Sequence, residues 1–208
     1  YFFSRMVEKY IEGGNFMHPI LALLIIGIAI SLAKAWSLFR ASINTKKFLI
    51  NIKSALDEGG IDSAKEVCEN TRGPVASIFH AGLSRANRGL DHVEKAIVNA
   101  GTIEMAFLER GLVWLSLFAT IAPMLGFLGT VSGMVRAFDD IALANDITPS
   151  IVASGISEAL LTTLFGLIVG IIIQIFQNFF VTRIDKLVID MEESSVELVD
   201  SLLEIETK

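Results

Sequence analysis

The chain has 208 residues, 52% of them hydrophobic, with a formal net charge of -6 and a single cysteine. An acidic balance argues against nucleic acid as a partner, and one cysteine excludes a disulfide within the chain. Charges are also unevenly spread: none lies between Glu12 and Lys34, none between Arg110 and Arg136, and only Glu158 between Asp146 and Arg183. Three such gaps, each about 20 residues or longer, read as three transmembrane helices. The expected fold is therefore an all-α integral membrane protein. Helices two and three extend into the cytoplasm, beside a small helical cytoplasmic domain and an amphipathic N-terminal helix.

Residues 1–14 place Phe2, Phe3, Met6, Val7, Tyr10 and Ile11 at helical spacing, which predicts a short helix lying on the membrane surface. Gly13-Gly14 ends it. A first residue other than Met leaves room for an upstream segment. The first span occupies 15–39, with His18-Pro19 in its opening turn. It is too long for a signal-peptide core and lacks a small-residue cleavage site. Lys34, Arg40, Lys46, Lys47 and Lys53 follow the apolar run. The positive-inside rule then sets the N-terminus outside and the next segment in the cytoplasm.

Residues 40–110 form the expected cytoplasmic helical domain. One helix closes near Gly59-Gly60, a shorter one covers Asp62–Asn70, and a third runs Val75–Arg88 until Gly89. From Asp91 a stripe of Val93, Ile97, Ala100, Ile103 and Phe107 predicts a helix continuing unbroken into the second span. Cys68 reads as a small buried apolar residue kept reduced. His80 and His92 lack metal-ligand spacing and read as surface or packing residues. No metal site, cofactor motif, phosphate loop or nucleophile–base constellation supports an enzyme.

The second span occupies 111–136. Pro123 removes a backbone donor and permits a kink. Gly126, Gly129 and Gly133 let another helix approach closely. Thr130 and Ser132 are its polar exceptions, and a hydroxyl there commonly bonds its own helix. Residues 137–150 form an expected periplasmic loop, acidic through Asp139, Asp140 and Asp146 and preceded by Arg136, with Thr148-Pro149 opening the third span at 151–181. Gly166 and Gly170 are packing or kink positions within it. Residues 182–208 continue as a cytoplasmic helix with an apolar stripe of Ile184, Leu187, Val188, Met191, Leu198, Leu202 and Ile205.

Glu158 is the residue that the third span does not need for stability. A carboxylate deep in an apolar helix costs about 2.5–3.5 kcal/mol on insertion scales. Such residues face a bundle interior or a water-filled path. Thr162 and Thr163 follow within about one turn, so further polar groups lie near the acid. The residues themselves point to Glu158 as a proton-binding group.

The segments APMLGFLGTVSGMVRAF (Ala122–Phe138) and ISEALLTTLFGLIVGI (Ile156–Ile171) resemble the MotA/TolQ/ExbB proton-channel family, and the three-span TolQ/ExbB branch within it. In that branch the segment of span two has the form AP-x-LGLLGTV-x-GMI-x-AF. The segment of span three has the form A-x-ALxTTAxGLxVAIPA-x-x-x-YN, with an acid ahead of the first Ala-Leu pair. The resemblance sets Glu158 on the family's channel-lining acid and Thr130 and Thr163 on its pore threonines. Two positions depart from it: Ile172 stands at the proline of AIPA, and Gln177-Asn178 at the Tyr-Asn pair.

The resemblance implies a bacterial inner-membrane protein with a periplasmic N-terminus and a cytoplasmic C-terminus. It implies a homopentamer around a dimer of a single-span ExbD/TolR-like protein, in which proton flow turns one ring against the other. The work would go to TonB-dependent transport, Tol-Pal or gliding, through an effector of TonB, TolA or gliding type. Two other readings stand beside this one. One is a sodium- or proton-driven stator subunit of flagellar type. The other is a passive oligomeric scaffold whose Glu158 is merely paired with a basic group.

Overall fold

The computed structural model describes residues 2–144 and 149–206, and every described element is helical. In chain order these are α1 (Phe2–Glu12), α2 (Met17–Ala41), α3 (Thr45–Asn70), α4 (Pro74–Leu83), a 3₁₀ turn (Ala86–Arg88), α5 (Leu90–Glu109), α6 (Leu112–Ala144) and α7 (Pro149–Glu206). Three helices are long and apolar enough to cross a membrane. The chain divides into two compact units. One comprises residues up to Leu32 together with Gly111–Phe179; the other comprises Ala33–Arg110 together with Phe180 onward.

The first unit holds most of the apolar length of α2 and α6 and the first part of α7. Its outward surface carries Ile25, Ile26, Val113, Phe127, Leu128, Leu160, Ile171 and Ile175, all exposed. Water would not tolerate so much contiguous apolar surface, whereas lipid or a neighbouring subunit does. Between α6 and α7 the contact runs backbone to backbone. A Cβ on Gly126 would sit 2.8 Å from the Thr162 carbonyl oxygen, and one on Gly166 2.6 Å from that of Ala122. Gly129 faces Thr162, Gly133 faces Ala159, and Gly170 leaves room for the ring of Pro123. α6 remains helical through Pro123, and α7 is continuous through Ile172. At the other face, Val7 and Tyr10 of α1 share an apolar groove of about 370 Å³ with Met17, Ile20, Leu24, Phe165 and Val169.

The second unit is built as a water-soluble core is built. Phe79 and Ile52 are 0% and 1% exposed, and Phe48 meets Phe79 with ring centroids 5.3 Å apart. Val75, Ile78, Leu83, Val93 and Ile97 complete it. On α7 the buried residues Ile184, Met191 and Leu198 recur every seventh position, with Leu202 following, so the predicted stripe has a core to face. Ile205 at its far end is exposed. α3 is interrupted at Gly60, where φ is +70°, as the Gly-Gly pair suggested.

Three expectations need correction. The helix from Asp91 does not run unbroken into the second span. α5 stops at Glu109, Arg110 is extended, and Gly111 takes φ +92°, a conformation that only glycine adopts cheaply. The carbonyls freed there are bound by Lys34, buried on α2, whose ammonium donates to Leu108 O and, at 2.9 Å, to Arg110 O. The helix expected over Val75–Arg88 is shorter. It ends at Leu83, where Ser84 Oγ donates back to His80 O at 2.7 Å and the chain tightens into the 3₁₀ turn. The loop expected over 137–150 is mostly helix, because α6 continues to Ala144 and α7 starts at Pro149. Asp139 and Asp140 end the apolar run without breaking the helix, since nothing in AFDDIALA forbids it. Asp146 and Thr148 lie outside the described residues.

Candidate functional site

The polar groups of the first unit gather where α6 and α7 approach closest. The missing side chains of Gly126, Gly129 and Gly133 bring the two backbones together, so hydroxyls on one helix reach carbonyls on the other. Thr130 Oγ1 lies 2.9 Å from Ala159 O across the interface and 3.3 Å from Gly126 O in its own helix. Thr163 Oγ1 reaches back to Gly126 O at 3.2 Å. The two hydroxyls also bond each other. Each carries one proton, so the pair has alternative arrangements. When Thr163 donates to Thr130, Thr130 donates to Ala159 O; when Thr130 donates to Thr163, Thr163 donates to Gly126 O.

Thr162 plays a different part. It is 1% exposed, and its Oγ1 donates to Ala159 O of its own helix at 2.8 Å. Its side chain fills the space that Gly129 leaves. The structure thus joins Thr130 with Thr163 and buries Thr162 against Gly129.

Glu158 stands on α7 five residues before Thr163, about 7.5 Å along the axis by helical rise. Its side chain is 24% exposed, and Oε1 lies 2.5 Å from Nη2 of Arg136, which is 46% exposed. Its described partner is therefore a cation on α6, not the threonine pair. Gly14, in the turn between α1 and α2, packs against the same carboxylate: a Cβ there would overlap Oε1 and lie 2.8 Å from Cδ. Neither Arg136 nor Gly14 emerges as a site residue from the sequence. The available signal was that Arg136 is the sole base from 111 to 182. Among the described residues no group of three or more His, Cys, Asp or Glu is arranged to hold a metal.

Three helices long and apolar enough to cross a membrane, with a carboxylate on the third and a hydroxyl pair between the second and third, describe a multi-pass membrane protein. A family model described as the MotA/TolQ/ExbB proton channel family matches residues 70–193. A putative biopolymer transport protein ExbB homolog of Methanothermobacter thermautotrophicus is 31% identical over 202 residues, 97% of this chain and 70% of that protein. The Tol-Pal system protein TolQ of Pseudomonas aeruginosa is 32% identical over 158 residues, 65% of this chain and 68% of that protein. The biopolymer transport protein ExbB of Salmonella typhimurium is 36% identical over 78 residues, 38% of this chain and 32% of that protein. The chain belongs to the MotA/TolQ/ExbB family, on its ExbB/TolQ branch.

Proposed function

We propose that the chain is the proton-conducting subunit of an inner-membrane motor, with Glu158 as the group that gains and loses the proton. It would assemble as a homopentamer around a dimer of a single-span ExbD/TolR-like protein. It would sit with its N-terminus in the periplasm and its C-terminus in the cytoplasm, and power an envelope process of TonB, Tol-Pal or gliding type. One observation carries this reading: the lone carboxylate of the charge-poor third span keeps 24% of its side-chain surface open, while Thr163, about 1.4 turns further along the same helix, is bonded to Thr130 of α6. A partly open acid can exchange protons with water, and threonine hydroxyls can pass or stabilise a proton between helices. Binding and release at Glu158 would change which rotational position the partner prefers.

The Arg136–Glu158 pair supports a second reading, in which the acid serves only to fasten α6 to α7 in a passive scaffold. Glu158→Gln separates the two. The motor reading expects an assembled complex without proton-driven activity. Full activity in that variant would sink it and favour the scaffold. Activity that follows a sodium gradient and ignores a protonophore would instead move the chain toward a sodium-driven stator.

A further inference from the structure

Arg136 has no role in the proton path drawn above, yet it touches the residue at the centre of that path. Its Nη2 lies 2.5 Å from Glu158 Oε1 across 22 positions of sequence, so only the register of α6 against α7 brings the charges together. The guanidinium is the more open partner, 46% exposed against 24% for the acid. The carboxylate is also bracketed by Gly14, whose φ of +71° and lack of Cβ let the turn backbone reach the acid.

We propose that Arg136 is a positioning residue for Glu158. Its guanidinium holds the carboxylate turned toward the α1–α2 turn, so that the acid is free to react only as the pair parts. A charge-assisted contact between a guanidinium and a carboxylate is among the stronger hydrogen bonds a protein makes. Leaving a largely covered carboxylate without its counter-ion is correspondingly costly. When the acid is neutralised the attraction largely goes, and the arginine, 46% exposed, has room to turn away. The pair is thus a latch on the acid, with Gly14 as the close-fitting wall against which the carboxylate rests. This deepens the reading of Glu158 as the proton group, but its test needs no working motor.

The test is labelling of Glu158 by dicyclohexylcarbodiimide, a membrane-soluble reagent that attacks the neutral carboxylic acid. The full-length chain in its assembled membrane complex is labelled at one fixed pH, and the Glu158 peptide is followed by mass spectrometry. Arg136→Gln is expected to raise the labelling rate about tenfold, the low end of what a hydrogen bond to a charged group carries. Arg136→Lys is expected to bring it most of the way back. Equal rates in the native chain and Arg136→Gln would overturn the proposal, as would Arg136→Lys labelling as fast as Arg136→Gln. Should Arg136→Gln fail to assemble, Gly14→Ala takes its place. The added methyl must push the carboxylate off the guanidinium, so labelling should quicken with Arg136 still present; an unchanged rate there counts against the latch. Full activity of Glu158→Gln would defeat the motor reading while leaving these rates meaningful.

Discussion

The two units hold themselves together by opposite means. In the first, α6 and α7 meet because side chains are missing: Gly126, Gly129, Gly133, Gly166 and Gly170 each face an atom of the other helix that a Cβ would strike or crowd. Lipid offers no hydrophobic drive to bring helices together, so close packing and interhelical hydrogen bonds must supply the affinity. In the second, Phe79, Ile52, Leu83 and Val93 are removed from water by one another. Their burial is the ordinary hydrophobic drive, about 1.5–3 kcal/mol for each large side chain. The lesson is that adding atoms should wreck the first unit and removing atoms the second.

The largest expected effect tests the first half of that contrast. Gly166→Leu would drive a side chain into the Ala122 carbonyl and the Gly126 backbone, 2.6 and 2.9 Å from a Cβ. Neither can yield as a flexible side chain would, so the penalty should exceed the usual range of about 1–3 kcal/mol for overpacking. No assembled complex should elute from size exclusion after extraction. Normal recovery would mean the helices do not pack as described. Next comes Phe79→Ala, expected to cost about 3–5 kcal/mol. Thermal unfolding of the purified complex should fall by roughly 10 °C, and an unchanged midpoint would show that the second unit has no such core.

A smaller effect concerns Cys68, 3% exposed, whose thiol burial pushes up to about 12, with the charge of Glu69 adding to it. Iodoacetamide at pH 8 should leave it unmodified until the chain is denatured. The sign follows from the folded state holding the proton more tightly. The stability tied to the neutral thiol is complete below the ordinary value of 9.0 and is lost as pH rises toward about 12. Rapid alkylation of the folded chain would contradict the burial. Smallest of all is Lys53→Gln. Lys53 and Glu197 lie 3.6 Å apart with about half of each side chain exposed, so the change should stay within about 1 kcal/mol. A larger shift would show that surface charge, and not the apolar core, governs the second unit.

What could be read from the chain divides along the same line. The spans were legible because lipid forbids charge, so the gaps after Glu12, Arg110 and Asp146 had to mean something. The glycines of α6 and α7 were legible as packing positions because spacing alone places them on one face. Their partners across the interface were not, and neither was the pairing of Arg136 with Glu158, since both depend on the register of α6 against α7, which spacing within one helix does not fix. The break at Gly111 was missed because the stripe through Phe107 passes into an apolar run without proline. The one signal was a glycine directly after the last charged residue, which is where helices often end. The helix end was placed too early for the converse reason: Asp139 and Asp140 end the apolar run, but the end of an apolar run does not oblige a helix to stop.

Lys34 closes the last turn of α5 by giving its ammonium to the carbonyls of Leu108 and Arg110. An amine so occupied is hidden from acylating reagents that readily find exposed Lys46 and Lys47. A footprint in which Lys34 starts to react would therefore announce fraying at that helix end before bulk spectroscopy registered any loss of helix. The residue works as a built-in tell-tale for the seam where α5 gives way to Gly111.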